Sequence, residues 1–180
     1  MRQILVGLII TIASCCTSQP SKSILEKSLT GKIKMGRFEN DYLTMKVPDD
    51  WKGKDANDET QFLVISKTQK DFTPSIILLG FDKKIYKDEY GFATAKDYMK
   101  GLIENYRNKP RYQFISEQSD LVDGKEIMSS TFLLDEDIKG VTQTYYVADI
   151  GDFYFGIVST DKEKGSELEI NGIINTIKFK

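Results

Sequence analysis

The chain contains no histidine, and its two cysteines are the adjacent Cys15 and Cys16. Hydrolases that depend on a Ser-His-Asp or Cys-His arrangement are therefore excluded, as are zinc sites built from His and Cys. A disulfide within the folded domain is excluded too, because both cysteines lie near the N-terminus. We therefore predict no catalytic residues, no metal ligands and no cofactor, and we expect apolar burial and hydrogen bonds to supply the stability.

The chain also has no excess of basic residues. The chain has 25 Lys and Arg against 27 Asp and Glu, a formal charge of −2. Arg2 is the only charged residue among residues 1–14, so removal of that segment leaves 24 against 27, or −3. Nucleic-acid-binding domains need a basic face, and we predict no nucleic-acid partner. Nine Tyr and ten Phe favour a packed domain over a disordered chain.

The N-terminus combines Arg2, an apolar segment at residues 4–10 and the sequence Ile12-Ala13-Ser14-Cys15, an order typical of secretory signal peptides. Only 11 residues, 4–14, separate Gln3 from Cys15, whereas a transmembrane helix needs about 20. The last four residues resemble the lipobox of bacterial lipoproteins. This resemblance implies that residues 1–14 are removed and that Cys15 carries lipid, palmitate included; an ordinary secretory signal is the alternative.

Lipid on Cys15 implies a stable membrane anchor, because two or more acyl chains hold a protein on a bilayer. We therefore expect the bacterial cell envelope, and the outer membrane if the source is Gram-negative, since Cys16 replaces the Asp that retains enteric lipoproteins in the inner membrane. Residues 15–35 are predicted to be the lipidated N-terminus and a flexible tether, rich in Ser, Thr and Lys. Residues 36–180 are predicted to form one domain.

The spacing of apolar residues, at three to four positions in helices and at two positions in strands, predicts the secondary structure of that domain together with capping and turn residues. Thr94 and Asp97 form a capping-box pattern at the start of a helix that ends before Pro110, and a second helix is predicted over residues 164–175. Turn residues at Asp123-Gly124 and Gly151-Asp152 favour antiparallel pairing of consecutive strands. Alternating or wholly apolar segments predict strands at residues 41–47, 61–66, 75–81, 112–117, 126–134, 141–148 and 153–160.

This order of elements resembles the Mog1/PsbP-like fold. Four segments add to the resemblance: an aromatic-led strand that ends in Pro, a turn and Trp at residues 42–51, the helix start at 94–98, the hairpin at 123–125 and the ending at 174–179. The resemblance implies an α+β fold, with an antiparallel sheet of about six to seven strands and helices packed on it as an α/β/α sandwich. It also implies a non-catalytic accessory role, since PsbP proteins assist a photosystem and Mog1 binds a GTPase. No binding residue is transferred, because this chain lacks the histidine of a PsbP-type metal contact.

Three motifs suggest chemistry but fit it poorly. Residues 135–140 place acids at alternate positions before a glycine, yet Lys139 and Tyr146 stand where an EF-hand needs ligands, so a solvated hairpin turn is favoured. The polar cluster at residues 55–59 leaves a weak metal contact as an alternative. Ser159 and Lys162 match a Ser-x-x-Lys motif that this composition produces by chance.

Aromatic residues near the C-terminal strands are the best candidates for contact with a ligand or partner. We expect Tyr146 and Tyr154 to share one face of the sheet, and Tyr145, Phe153 and Phe155 to fill the other, because neighbours on a strand point to opposite faces. If the first face is open, its tyrosines form an amphipathic patch. Ordinary cross-strand packing is the alternative explanation.

These observations predict a membrane-anchored envelope lipoprotein with a non-catalytic accessory or binding role, its partner being an envelope protein or a small ligand. A hydrolase that uses carboxylates alone is one alternative, and it would need two converging acids in a cleft. A lipid or lipoprotein carrier is another, and it would need an apolar cavity.

Overall fold

A computed structural model of the chain describes residues 31–54, 61–67, 74–134, 140–161 and 166–180. Within these ranges the backbone forms three helices, α1 Lys83–Tyr90, α2 Ala95–Arg107 and α3 Ser166–Ile174. The same ranges contain eleven strands: β1 Lys32–Lys34, β2 Arg37–Glu39, β3 Leu43–Lys46, β4 Lys52–Lys54, β5 Gln61–Ser66, β6 Ser75–Asp82, β7 Tyr112–Val122, β8 Lys125–Leu134, β9 Thr142–Ile150, β10 Phe153–Asp161 and β11 Lys178–Phe179.

Seven strands form the central sheet, in the order β4-β5-β6-β10-β9-β8-β7, and every neighbouring pair is antiparallel. Two-residue turns join β7 to β8 and β9 to β10. Asp123 and Gly124 in the first have φ angles of +51° and +76°, as a type I′ turn requires. The predicted α+β class and antiparallel sheet are therefore confirmed.

A second, smaller sheet has the order β1-β2-β3-β11. Its strand β11 pairs with β3, so the end of the chain returns to the beginning of the domain. Strand β1 lies inside residues 15–35, which we predicted to be tether, and ordered structure therefore begins before Gly36. Three residues with two exposed lysines carry too little apolar alternation to be identified as a strand.

The central sheet has an apolar core on each side. Face one, which carries Leu78, Phe155 and Ile157, packs against the smaller sheet and α3. Face two, which carries Ile77 and Tyr154, packs against α2. Because both faces of β6 and β10 are covered, these two strands are apolar along most of their length.

Helix α2 begins at the predicted capping box. Thr94 Oγ1 accepts a hydrogen bond from Asp97 N at 3.1 Å, and Asp97 Oδ2 accepts one from Thr94 N at 3.0 Å. Its buried residues lie three and four positions apart, as expected for an amphipathic helix; they are Ala95, Tyr98, Met99, Leu102, Ile103 and Tyr106.

Helix α1 was not predicted from the sequence, since it is only eight residues long and none of its residues is fully buried. Its Tyr86 is partly buried against the core of face two. Asp82 caps it by accepting hydrogen bonds from Lys84 N and Ile85 N, and Gly91 ends it with a φ of +73°. None of the described helices is long and apolar enough to cross a membrane.

Candidate functional site

Four hydroxyl side chains lie in one row across the central sheet on face one. The strand register places Ser116 of β7 opposite Thr131 of β8, Thr131 opposite Thr144 of β9, and Thr144 opposite Ser159 of β10. The hydroxyls of Thr131 and Thr144 are 3.0 Å apart, at hydrogen-bond distance. We call these four residues the hydroxyl row, and they form the floor of a groove of about 440 Å³.

Helix α3 forms one wall of this groove. Glu167 and Asn171 of the helix, and Asn175 directly after it, recur every four residues and line the groove. Ile170 and Ile174 of the same helix also border the groove, and both are buried in the core of face one. The hydroxyl of Tyr146, which lies in β9 next to the hydroxyl row, donates a hydrogen bond to Asn171 Oδ1 at 3.1 Å. This bond fixes the helix wall to the floor.

Tyr146 lines the groove and is half-buried. Burial raises the pKa of its hydroxyl to about 12, and the negative charges of Glu167 and Asp120 act in the same direction. Hydrogen bonds with Ser159 and Thr144 lower the pKa by less. Tyr146 therefore remains a neutral donor and acceptor at any physiological pH.

Among the described residues, the charged side chains that line the groove are all of one sign. Asp120, Asp161 and Glu167 are among the described residues that line it, and no lysine or arginine is. Carboxylates accept hydrogen bonds, hydroxyls both donate and accept, and the amides of Gln118 and Asn171 do both. The lining therefore suits a ligand that is neutral or cationic and rich in N–H or O–H donors.

The groove was only partly foreseen from the sequence. Tyr146 was predicted to line an open sheet face, and the structure places it in the groove. The hydroxyl row was missed, although Ser129, Thr131, Thr142 and Thr144 show the period-two spacing of residues on one face of a strand.

The expectation that Tyr146 and Tyr154 share a face is wrong. Tyr146 lies opposite Ile157 and therefore on face one, and Ile157 is three residues from Tyr154 on the same strand. Tyr154 points to face two, where it is fully buried, and its hydroxyl donates to the carbonyl oxygen of Phe92 at 2.9 Å. Tyr154 is thus a core residue and offers no surface to a ligand.

The other three aromatic residues were predicted to share the opposite face, and the same register divides them between the two faces. Phe153 and Phe155 pack in the core of face one, on the side of Tyr146. Tyr145 is buried on face two, on the side of Tyr154.

Several motifs noted in the sequence fall outside the described residues: residues 135–139, residues 55–59 and Lys162. Cys15 lies outside them too, so its lipidation stays a prediction. Within the described ranges, no three His, Cys, Asp or Glu side chains are close enough together to hold a metal ion.

No protein-family model matches the chain, and no curated protein matches its sequence. Solved structures match its fold. Cyanobacterial PsbP (CyanoP) of Synechocystis sp. PCC 6803 is similar over 83% of this chain and 96% of its own, with a TM-score of 0.58 and 11% identity. A protein of Bacteroides thetaiotaomicron is similar over 84% of this chain and 48% of its own, with a TM-score of 0.51 and 15% identity.

LpqN of Mycobacterium tuberculosis, a protein involved in cell envelope biogenesis, is similar over 76% of this chain and 82% of its own, with a TM-score of 0.51 and 12% identity. At such identities the likeness concerns the fold alone. The central antiparallel sheet, its covering helices and these similarities together show that the chain has a PsbP-like fold.

Proposed function

We propose that this chain is a bacterial envelope lipoprotein that binds a small polar ligand in the groove and does not transform it. The observation that carries the proposal is the hydroxyl row beside Tyr146, held in register by four paired strands. Sites on regular strands are held more rigidly than sites on loops. A volume of about 440 Å³ also lies within the usual range for small-molecule pockets.

The location rests on the N-terminal sequence. The lipobox-like residues 12–15 support a lipid anchor at Cys15, and with it attachment to the bacterial envelope membrane, which is the outer membrane in a Gram-negative source. The involvement of LpqN in cell envelope biogenesis is compatible with this location.

A binding role fits the groove better than hydrolysis by carboxylates. A carboxylic acid that donates a proton at neutral pH is normally buried in apolar surroundings, whereas Asp120 and Glu167 are exposed. The hydroxyls on the floor also disfavour a lipid carrier, which needs an apolar cavity for an acyl chain, although aliphatic side chains such as Ile115 and Leu121 border the groove as well.

Calorimetric titration of the full chain tests the binding role. Glucosamine is a suitable probe because it carries hydroxyls and one ammonium group, and citrate is its anionic counterpart. We expect wild-type protein to bind glucosamine and not citrate. We expect Tyr146→Phe to weaken glucosamine binding about fivefold, the effect of one hydrogen bond.

Tyr154→Phe is the matched control, because it removes one hydroxyl that is hydrogen-bonded on the opposite face. It should leave the affinity for glucosamine unchanged. Binding of citrate as tight as that of glucosamine, or an equal loss in both variants, would contradict a ligand site at Tyr146.

Membrane fractionation tests the anchor separately. We expect Cys15→Ser to lose acylation, as measured by mass spectrometry, and to leave the membrane fraction. Cys16→Ser should keep both. Acylation that survives in Cys15→Ser would refute the predicted lipidation site.

A further inference from the structure

Three cations lie directly opposite one another on the outer side of the smaller sheet. Lys34 of β1 pairs with Arg37 of β2, and Arg37 pairs with Lys46 of β3. All three side chains are exposed. Like charges at directly opposed positions destabilise a sheet, so the fold itself gives no reason for this arrangement. We call these three residues the basic row.

The basic row is only partly neutralised by Glu39, whose carboxylate is held first by Lys180 and attracted more weakly by Arg37 and Lys34. Within the described ranges no ion pair involves any of its three members, and Arg37 uses one guanidinium nitrogen to bind the hydroxyl of Thr44 at 2.9 Å. Glu39, on the same side of the sheet, is already paired with Lys180 at 2.8 Å. The basic row therefore has positive charge available for an external anion.

An apolar side chain projects beside the basic row. Met35 lies in the turn between β1 and β2, is fully exposed, and has a φ of +48°. This left-handed conformation favours glycine or asparagine, and a methionine there is unusual. An exposed apolar residue in a strained position next to three cations indicates a contact surface with both apolar and anionic components.

The short length of chain between Cys15 and β1 indicates which external surface the basic row contacts. Residues 16–30, fifteen in number, separate Cys15 from Gly31, which directly precedes β1. Even fully extended, this segment spans only about 55 Å at 3.3–3.6 Å per residue. A lipid on Cys15 therefore confines the edge of the smaller sheet to the neighbourhood of the bilayer in which the lipid is inserted.

We propose that the outer side of the smaller sheet, with the basic row and Met35, docks on the anionic phospholipid surface to which Cys15 is anchored. This inference rests on the lipid anchor of the proposed function. Anionic headgroups attract basic residues close to the surface, and Met35 enters the interface between headgroups and acyl chains. Docking fixes the orientation of the domain, which the tether alone leaves free.

Fluorescence of the full-length, acylated protein in vesicles tests the docking. A polarity-sensitive fluorophore is attached to the cysteine of Met35→Cys, in a protein that also carries Cys16→Ser. In a parallel sample the fluorophore is attached to Lys100→Cys on α2, the helix that covers the opposite face of the central sheet. We expect the emission from position 35 to shift to shorter wavelength in vesicles that contain phosphatidylglycerol, and not in pure phosphatidylcholine. High salt should reverse the shift by screening the charges. The emission from position 100 should not change.

Arg37→Glu separates docking from folding. It converts two like-charge pairs, with Lys34 and Lys46, into two opposite-charge pairs, and it removes the hydrogen bond from Arg37 to Thr44. Because the two effects oppose each other, we expect a melting temperature close to that of the wild type. The same variant should lose the shift at position 35. Lys96→Glu, which makes an equal change of net charge at an exposed position of α2, should keep the shift.

Four outcomes would overturn the inference. The emission from position 35 does not shift in acylated protein, or it shifts equally in pure phosphatidylcholine, or the shift survives Arg37→Glu. The fourth outcome is a shift that increases with the density of protein on the vesicles, which would indicate contact between copies of the chain. An unacylated chain would refute the anchor instead. The labelled chain is then added to the vesicles from solution, where a phosphatidylglycerol-dependent shift at position 35 supports the docking surface and its absence refutes it.

Discussion

Three tyrosines meet in the core of face two and share a small polar network. The hydroxyl of Tyr145 lies 3.1 Å from that of Tyr106 and 2.8 Å from Oε1 of Gln143, which is fully buried. The ring of Tyr112 packs at a tilted angle against that of Tyr106, with ring centroids 4.3 Å apart. Burial is the largest cause that raises the pKa of all three hydroxyls, that of Tyr106 to about 12.

These raised pKa values predict a loss of stability in alkaline solution. Unfolded tyrosines ionise near pH 10, whereas Tyr106 keeps its proton up to about pH 12 in the folded protein. The unfolded chain therefore binds fewer protons in this interval, and the free energy of unfolding decreases with rising pH. Each such tyrosine contributes at most about 1.4 kcal/mol per pH unit.

Urea denaturation at a series of pH values measures this slope. We expect Tyr106→Phe to unfold with a shallower dependence on pH than the wild type above about pH 10, because one titrating group is gone. Identical slopes in the two proteins would show that other groups govern alkaline unfolding.

Trp51 is 4% exposed and belongs to the core of face one. Its indole N–H donates to Glu169 Oε1 at 2.9 Å, and Lys67 Nζ binds the same carboxylate at 2.9 Å and 3.0 Å. The hydrogen bond from Trp51 is the largest cause that holds the pKa of the Glu169 carboxyl below its ordinary value of 4.5, and the contacts with Lys67 act in the same direction. The ionised carboxylate therefore stabilises the fold above that pH, and its contribution is lost as the pH falls through the folded pKa.

Trp51 is the only tryptophan of the chain, so its fluorescence reports the protonation of Glu169. We expect an acid titration of the emission with a midpoint below 4.5, as long as the protein stays folded. Glu169→Gln should lack this transition, and Glu167→Gln, on the groove side of α3, should keep it. A transition that persists in Glu169→Gln would assign it to another group.

At the scale of elements, the capping box formed by Thr94 and Asp97 is a local sequence signal that fixes where α2 begins. The capping box satisfies backbone N–H groups that have no partner within the helix. We expect Thr94→Ala to lower the free energy of unfolding by about 1 kcal/mol. Thr94→Ser, which keeps the oxygen, should lose much less. Chemical denaturation of both variants measures the difference, and an equal loss would mean that the hydroxyl does not stabilise the helix.

Elements with a strong local pattern were predicted from the sequence, and weakly patterned ones were not. Strand β5 matches the predicted residues 61–66, and α3 falls within the predicted 164–175. Helix α1 and strand β1 were missed, because neither has a fully buried residue and periodicity reports burial rather than the element itself. The capping pair Asp82 and Gly91 was the signal available for α1.

The assignment of tyrosines to faces failed because periodicity fixes the alternation within a strand but not the register between strands. The two-residue turn at Gly151-Asp152 pairs Ile150 with Phe153 and hence Tyr146 with Ile157. Turn length therefore contained the missing information. The hydroxyl row was harder to predict, because three strand pairings have to be aligned at once. One of them joins β8 to β9 across residues 135–141, and another includes a register shift between Phe114 and Ser116.

At the scale of the whole molecule, the two cores share the same sheet. In β10, Phe155 belongs to the core of face one, and its neighbour Tyr154 belongs to that of face two. Loss of either core exposes strands that the other requires. Cooperative unfolding is also usual for single domains of about this size.

We therefore expect a single unfolding transition that every probe reports alike. Trp51 fluorescence monitors the core of face one, and far-ultraviolet circular dichroism monitors the whole chain. Leu102→Ala removes buried contacts on face two, remote from Trp51, and should cost about 2–5 kcal/mol. Because the shared strands couple the cores, both probes should show the same lowered melting temperature. A fluorescence transition that stays at the wild-type temperature while the circular dichroism transition falls would mean that the two faces unfold independently.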